Sequence, residues 1–265
     1  MIKALMFDLD DTLLWDKKSV KEALRAVCLE VEQAAGIPAE SFENTVRKTA
    51  AALYQNYESY PFTKKIGINP FEGLWGTFPD KINVGFRTMH QEMPAYQEQT
   101  WIQALREHGV ENKDLGKQLA VRFPYHRKKL PFIYPETFEV LSELKDDYQL
   151  LLLTNGAPSL QNTKLDMTPQ LVPYFDYIVI SGAFGFGKPD PSIFYHALKL
   201  LDIDASEAVM IGDNLFTDID GANRSGVSSI WLNREGKEAA AEISFHQEIS
   251  NLNELRNGLN SIVSS

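Results

Sequence analysis

Residues 4–14 read ALMFDLDDTLL, an apolar run that ends in three acids within four positions: Asp8, Asp10 and Asp11. Carboxylates repel one another and resist burial, so acids gathered at the end of an apolar segment need a cation or solvent to compensate them. The run Met1–Phe7 is too short for a helix and nearly continuous in its hydrophobicity. That is the pattern of a parallel strand covered on both faces.

The same texture recurs at Gln149–Thr154 (QLLLLT), Tyr177–Ser181 (YIVIS), Ala208–Ile211 (AVMI) and Ser228–Leu232 (SSIWL). Helical patterns lie between these runs, at Pro135–Asp146, Ser159–Met167, Pro191–Leu201 and Thr217–Arg224. Strands alternating with helices predict βαβ units, and hence a doubly wound parallel sheet with helices on both faces. From Trp15 to Lys129 the texture changes. A helix is expected over Ser19–Ala35, closed by Gly36, with another from Pro38 toward Tyr57 and a third across Met93–His108. No buried strand is legible there, so the expected division is an α/β core of residues 1–15 and 130–265 with an all-helical domain, 16–129, inserted.

Composition narrows the class of function. The chain has 265 residues, 44% of them hydrophobic and 23% charged, with a formal net charge of −10. An acidic surface of this kind repels nucleic acid and anionic membrane, so neither is an expected partner. Cys28 is the only cysteine, which rules out an internal disulfide and suits a reducing compartment. The first residues enter a strand directly, without the pattern of a leader peptide, and no segment is long and apolar enough to span a bilayer. A cytoplasmic enzyme or binding protein is expected; oligomeric state is not legible.

In open α/β sheets ligands bind beyond the carboxyl ends of the strands. The residues just past each predicted strand are therefore a test. The first strand leads into DLDDT, the second ends in TNG (Thr154, Asn155, Gly156), the third leads to GAFGFGKPD with Lys188, and the fourth to GDNLFTDIDGA with Asp213 and Asp218. These residues suit one site that holds a hard cation and a phosphate. In an extended chain, Asp8 and Asp10 point to the same side roughly 6–7 Å apart, enough for a phosphorus atom with its attacking and leaving oxygens. Mg²⁺ takes oxygen ligands from one or two carboxylates plus phosphate and water, and Asp8 and Asp213 can supply them. Thr154 and nearby backbone N–H groups can donate to phosphate oxygens, and Lys188 adds positive charge.

Several features read as scaffold. Asp11 faces away and suits a turn, Asp220 a solvated surface, and Cys28 helix packing. The basic run His126–Lys129 reads as a solvated linker, with an anion-steering rim as the alternative. Aromatics of the insertion, among them Tyr54, Tyr57, Tyr60, Phe62, Phe71 and Trp75, read mainly as that domain's own core. The stretch Gly182–Lys188 has the G-x-x-x-x-G-K spacing of a nucleotide-binding loop, but Pro189 replaces the required Ser or Thr. The next helix starts too late, at Pro191 with Asp190 as its cap.

In this order after successive strands, DLDDT, TNG, GKPD and GDNLFTD resemble the four motifs of the haloacid dehalogenase-like hydrolases. The resemblance covers the α/β core from end to end. It implies a Rossmann-like core, with the insertion similar to the C1-type helical cap that closes over the site in that family's first subclass. It further implies that Asp8 is the nucleophile forming an aspartyl-phosphate, and that Asp10 is the general acid and later the base. Thr154, Asn155 and Lys188 would bind phosphate. Asp8, Asp213 and the backbone carbonyl of Asp10 would hold Mg²⁺, with Asp218 supporting the metal site or the lysine.

The implied activity is a Mg²⁺-dependent phosphatase of a small phosphomonoester, leaning to phosphoserine or a similar polar metabolite. A phosphomutase would carry the same motifs. A metal-independent 2-haloacid dehalogenase would share Asp8 but has no leaving oxygen for Asp10 to protonate. A non-catalytic binding protein would have no use for the complete reactive set.

Overall fold

The computed structural model describes residues 1–81 and 83–263. The chain divides into two compact units: Met1–Trp15 with Ile133–Pro158 and everything from Thr168 on, and Asp16–Phe132 with Ser159–Met167.

The first unit is built on a six-stranded sheet in the order β3-β2-β1-β4-β5-β6. The strands are β1 (Ala4–Phe7), β2 (Gln149–Thr154), β3 (Tyr177–Ile180), β4 (Ala208–Gly212), β5 (Ser228–Leu232) and β6 (Gln247–Ile249), and every pairing is parallel. All of β1 and β4, and β2 after Gln149, are buried, which is why these segments carry unbroken apolar runs rather than alternation. Strand order reverses at β1, where β2 and β3 extend one way and β4 to β6 the other. Phe7 lies opposite Leu152 of β2 and Ile211 of β4. That register brings the ends of the three central strands to one level beside the switch point, where ligands bind in such sheets.

One face packs against the helix Pro191–Leu201. Its residues Ile193, Phe194, Ala197, Leu198 and Leu201 recur at helical spacing and meet Met6, Leu151, Leu153 and Met210. This helix starts as its sequence demands, with Pro191 at the first position and the Asp190 side chain accepting from the N–H of Ser192.

Most differences from expectation are at element ends. Ser181 opens a short helix, Ser181–Phe184, rather than ending β3. The expected helix Thr217–Arg224 is a π-helical turn, Leu215–Ile219, followed by the helix Asp220–Arg224. Strand β6 is additional to the five expected strands. Among the described residues, no helix is long and apolar enough to cross a membrane.

The second unit is helical, with no strand among its described residues. Its helices are Asp16–Ala35, Ala39–Tyr54, Tyr60–Ile66, Pro70–Gly73, Val84–Glu107 and Lys113–Lys129, joined by the Ser159–Met167 part of the helix Pro158–Met167. Gly36 ends the first helix with a φ of 70°, the left-handed conformation that glycine adopts without penalty. The helix expected across Met93–His108 begins much earlier, at Val84, and runs through Pro94. Tyr54, Trp75, Phe86, Tyr96 and Trp101 are buried in the unit. Cys28 is buried as well, and that burial pushes its thiol up to about 12.

The basic run His126–Lys129 is not a linker. It forms the last turn of the helix Lys113–Lys129, where cations favour the carboxyl end of the helix dipole. Arg127 is buried, lies 4.7 Å from the ring centre of Trp75, donates to Ser19, and pairs with Asp16 at 2.6 Å. In the same unit, Lys164 pairs with Glu72 at 3.0 Å, and both side chains are buried.

Candidate active site

Asp8 comes directly after the last residue of β1, and its N–H donates to the carbonyl of Ile211 on β4. Asp11, three residues on, has a φ of 61° and donates its N–H to Leu14, so it shapes the turn, as expected for an acid that tolerates the left-handed region. The turn returns Thr12 toward Asp8. The Thr12 hydroxyl donates to Asp8 Oδ2 at 3.4 Å and accepts the N–H of Asp213 at 3.2 Å. One threonine therefore ties the loop after β1 to the loop after β4.

Lys188 arrives from the loop after β3. Its ammonium donates to Asp8 Oδ1 at 2.7 Å, to the Leu153 carbonyl at 2.6 Å and pairs with Asp218 Oδ1 at 2.8 Å. Three acceptors match its three protons. Burial alone would lower the lysine, but the carboxylates of Asp218 and Asp8 outweigh it and hold the ammonium above the ordinary lysine value. The Asn155 side chain positions this lysine: its amide N–H donates to the Lys188 carbonyl, and its oxygen accepts the Lys188 N–H, at 2.9 and 2.8 Å.

Thr154, the last residue of β2, is buried. Asp218 is set by the π-helical turn, where its Oδ2 accepts the N–H of Asn214 at 3.1 Å. A side chain at Gly212 would put its Cβ 2.2 Å from that oxygen, so glycine is what lets Asp218 approach the end of β4.

One carboxylate oxygen from each of Asp8, Asp213 and Asp218 lies within 4.8 Å of the others. Asp10, whose carboxylate stands outside this trio, is partly buried. Burial pushes the Asp8 carboxyl up to about 6, with Lys188 opposing and the Asp218 charge adding to the rise. Burial likewise raises Asp218, against Lys188 and with Asp213. Three carboxylates facing one ammonium leave excess negative charge among hard oxygen donors, and a divalent cation of the Mg²⁺ type fits that deficit.

A family model for haloacid dehalogenase-like hydrolases matches residues 2–226. The chain belongs to this family. It is 34% identical to a phosphoserine phosphatase of Thermus thermophilus over 255 residues, 96% of this chain and 98% of that one. It is 29% identical to a glyceraldehyde 3-phosphate phosphatase of Pyrococcus abyssi, over 88% of this chain and 82% of that one. The magnesium-bound crystal structure of the hydrolase YfnB from Bacillus subtilis aligns with a TM-score of 0.69 at 24% identity, over 98% of this chain and 99% of that one; at that identity it speaks for the fold alone.

Thr12, Trp231 and Arg234 join the site without having been expected there. Trp231 donates its indole N–H to the Asp213 carbonyl at 3.0 Å, and Arg234 donates to the Thr12 carbonyl at 3.1 Å. The sequence signal for Thr12 is its place at the end of DLDDT, four residues after Asp8.

Proposed function

We propose that the chain is a Mg²⁺-dependent phosphatase that hydrolyses a small phosphomonoester through an aspartyl-phosphate on Asp8. The observation that carries this reading is the buried contact of Lys188 with both Asp8 and Asp218, next to the cluster of Asp8, Asp213 and Asp218. It joins a carboxylate nucleophile, a fixed positive charge and a place for a hard cation, which are the parts phosphoryl transfer needs.

In the proposed reaction a carboxylate oxygen of Asp8 bonds to phosphorus as the bond to the leaving oxygen breaks. Asp10 gives its proton to that oxygen. It then takes a proton from the water that attacks the aspartyl-phosphate, releasing phosphate and restoring Asp8. Lys188 offsets charge on the transferred group, and Thr154 and the main-chain N–H of Asn155 donate to its oxygens. Mg²⁺, held by Asp8, Asp213 and the Asp10 carbonyl with Asp218 behind, would supply Lewis-acid stabilisation of the phosphoryl charge.

Phosphoserine or a similar small polar monoester is the proposed substrate, supported by the Thermus thermophilus relative's name and its near-complete coverage of both chains. The test is hydrolysis of p-nitrophenyl phosphate with and without Mg²⁺, and then a screen that includes O-phosphoserine, glyceraldehyde 3-phosphate and nucleoside monophosphates. Phosphate release that depends on Mg²⁺ is expected. Halide release from a 2-haloacid without metal, or phosphoryl transfer between sugar positions with no free phosphate, would replace this reading with dehalogenase or phosphomutase activity.

A further inference from the structure

The end of β5 and the residues just after it contribute no group to the proposed chemistry, yet they reach both catalytic loops. Trp231 is 1% exposed, and its indole N–H donates to the Asp213 carbonyl at 3.0 Å. Since the Asp213 N–H is already bound by Thr12, the main chain of this residue is held at both its N–H and its C=O. Three residues later, Arg234 donates to the Thr12 carbonyl at 3.1 Å and to Glu136 Oε1 at 2.6 Å. Its guanidinium lies 3.5 Å from the ring centre of Tyr134, which stacks on Trp15 at 5.1 Å between ring centres and 17° between planes. Thr12 is thus fixed through its carbonyl by Arg234 while its hydroxyl bridges Asp8 and Asp213.

We propose that Trp231 and Arg234 are positioning residues that set the spacing between the Asp8 and Asp213 carboxylates, and so tune how the site takes a divalent cation. The inference rests on the metal-dependent activity proposed for this site. The two residues act on different loops through different atoms, and Thr12 joins those loops. A planar, forked guanidinium can hold a carbonyl, a carboxylate and an aromatic face together, whereas an ammonium cannot keep that geometry. Groups that orient metal ligands from behind commonly control affinity by about tenfold to a hundredfold. The competing role is packing alone: Trp231 also sits in an apolar cluster with Leu215, Ile219 and Ile243.

The test uses the full chain with Trp231→Phe, which keeps an aromatic ring but loses the N–H, and Arg234→Lys, which keeps the charge but loses the fork. Leu259→Ala, in the buried core, serves as a control that loses stability by packing alone. Mg²⁺ binding is titrated by calorimetry without substrate, Tm is recorded, and kcat and KM are taken on p-nitrophenyl phosphate. The Kd for Mg²⁺ is expected to rise about tenfold in each site variant, and kcat to fall more than KM changes. Leu259→Ala should lower Tm with no change in Kd. Kd values within about twofold of wild type in both site variants, or an equal rise in Leu259→Ala, would overturn the inference while leaving the metal reading intact. A wild-type protein that binds no Mg²⁺ would overturn both.

Discussion

Lys188 and Asp218 meet at 2.8 Å with only 1% of either side chain exposed, and the same ammonium pairs with Asp8 at 2.7 Å. One buried cation therefore serves two buried anions. Removing it leaves both carboxylates uncompensated, whereas removing Asp218 leaves Lys188 with a partner. Breaking a buried pair from one side typically costs about 3–5 kcal/mol. Lys188→Met is therefore expected to destabilise the protein more than Asp218→Asn at neutral pH. The penalty for Lys188→Met should shrink on acidification, as protonation removes the stranded charges. Denaturant unfolding of both variants at pH 7.5 and 5 measures this. A larger loss in Asp218→Asn at pH 7.5 would show that the lysine is not the shared element.

Gly212 makes a sharper geometric prediction. Its missing side chain leaves room for Asp218, whose Oδ2 would lie 2.2 Å from a Cβ there. Gly212→Ala forces the carboxylate to move, which disturbs its bond from the Asn214 N–H and its pair with Lys188. A substitution of a single methyl group should lower turnover by roughly tenfold or more, since placement errors of about 1 Å can cost about a hundredfold. Turnover equal to wild type would show that Asp218 can shift without consequence.

Much of this arrangement was legible in the sequence because the strands bearing it are buried on both faces. Apolar runs such as Leu150–Leu153 have no other simple use, and the residues beyond them form one chemically coherent set. Strand β6 escaped because Gln247–Ile249 is a three-residue edge strand in which only Ile249 is buried. Pairings across long stretches of chain were also invisible. Thr12 meets Asp213, and Asn155 clasps Lys188, through contacts that only the sheet register creates. Arg127 looked like part of a solvated basic run because its partner, Asp16, lies at the other end of the helical insertion.

That pair predicts a response to acid. Burial would raise Asp16, but Lys164 and Arg127 outweigh it and hold its carboxyl below the usual aspartate value. A carboxylate depressed in the folded state contributes stability that is fully present above its unfolded value, about 3.9. The contribution is lost as pH falls from there through the lower folded value. Asp16→Asn should therefore be less stable than wild type at pH 7, and the gap should narrow only below about pH 4. Denaturant midpoints across pH 3–7 test the sign. A gap that narrowed near pH 6 instead would implicate another group.

The roles proposed for Asp8 and Asp10 separate most clearly in paired variants. Asp8→Asn should abolish turnover on every substrate, because an amide does not form the phosphoryl intermediate. Asp10→Asn leaves the nucleophile in place, along with the Lys188 contact and the trio of Asp8, Asp213 and Asp218. What it removes is proton transfer, typically a contribution of about 10²–10⁴ in rate. Alkyl phosphates, whose leaving oxygen needs that proton, should lose more than aryl phosphates with a good leaving group. Hydrolysis of the intermediate should slow too, since the same residue would activate the water. Phosphorylated enzyme should then accumulate on p-nitrophenyl phosphate and register as a phosphate adduct in the intact mass. Equal losses on O-phosphoserine and p-nitrophenyl phosphate, with no adduct at any time, would leave Asp10 a structural acid and move the proton to another group.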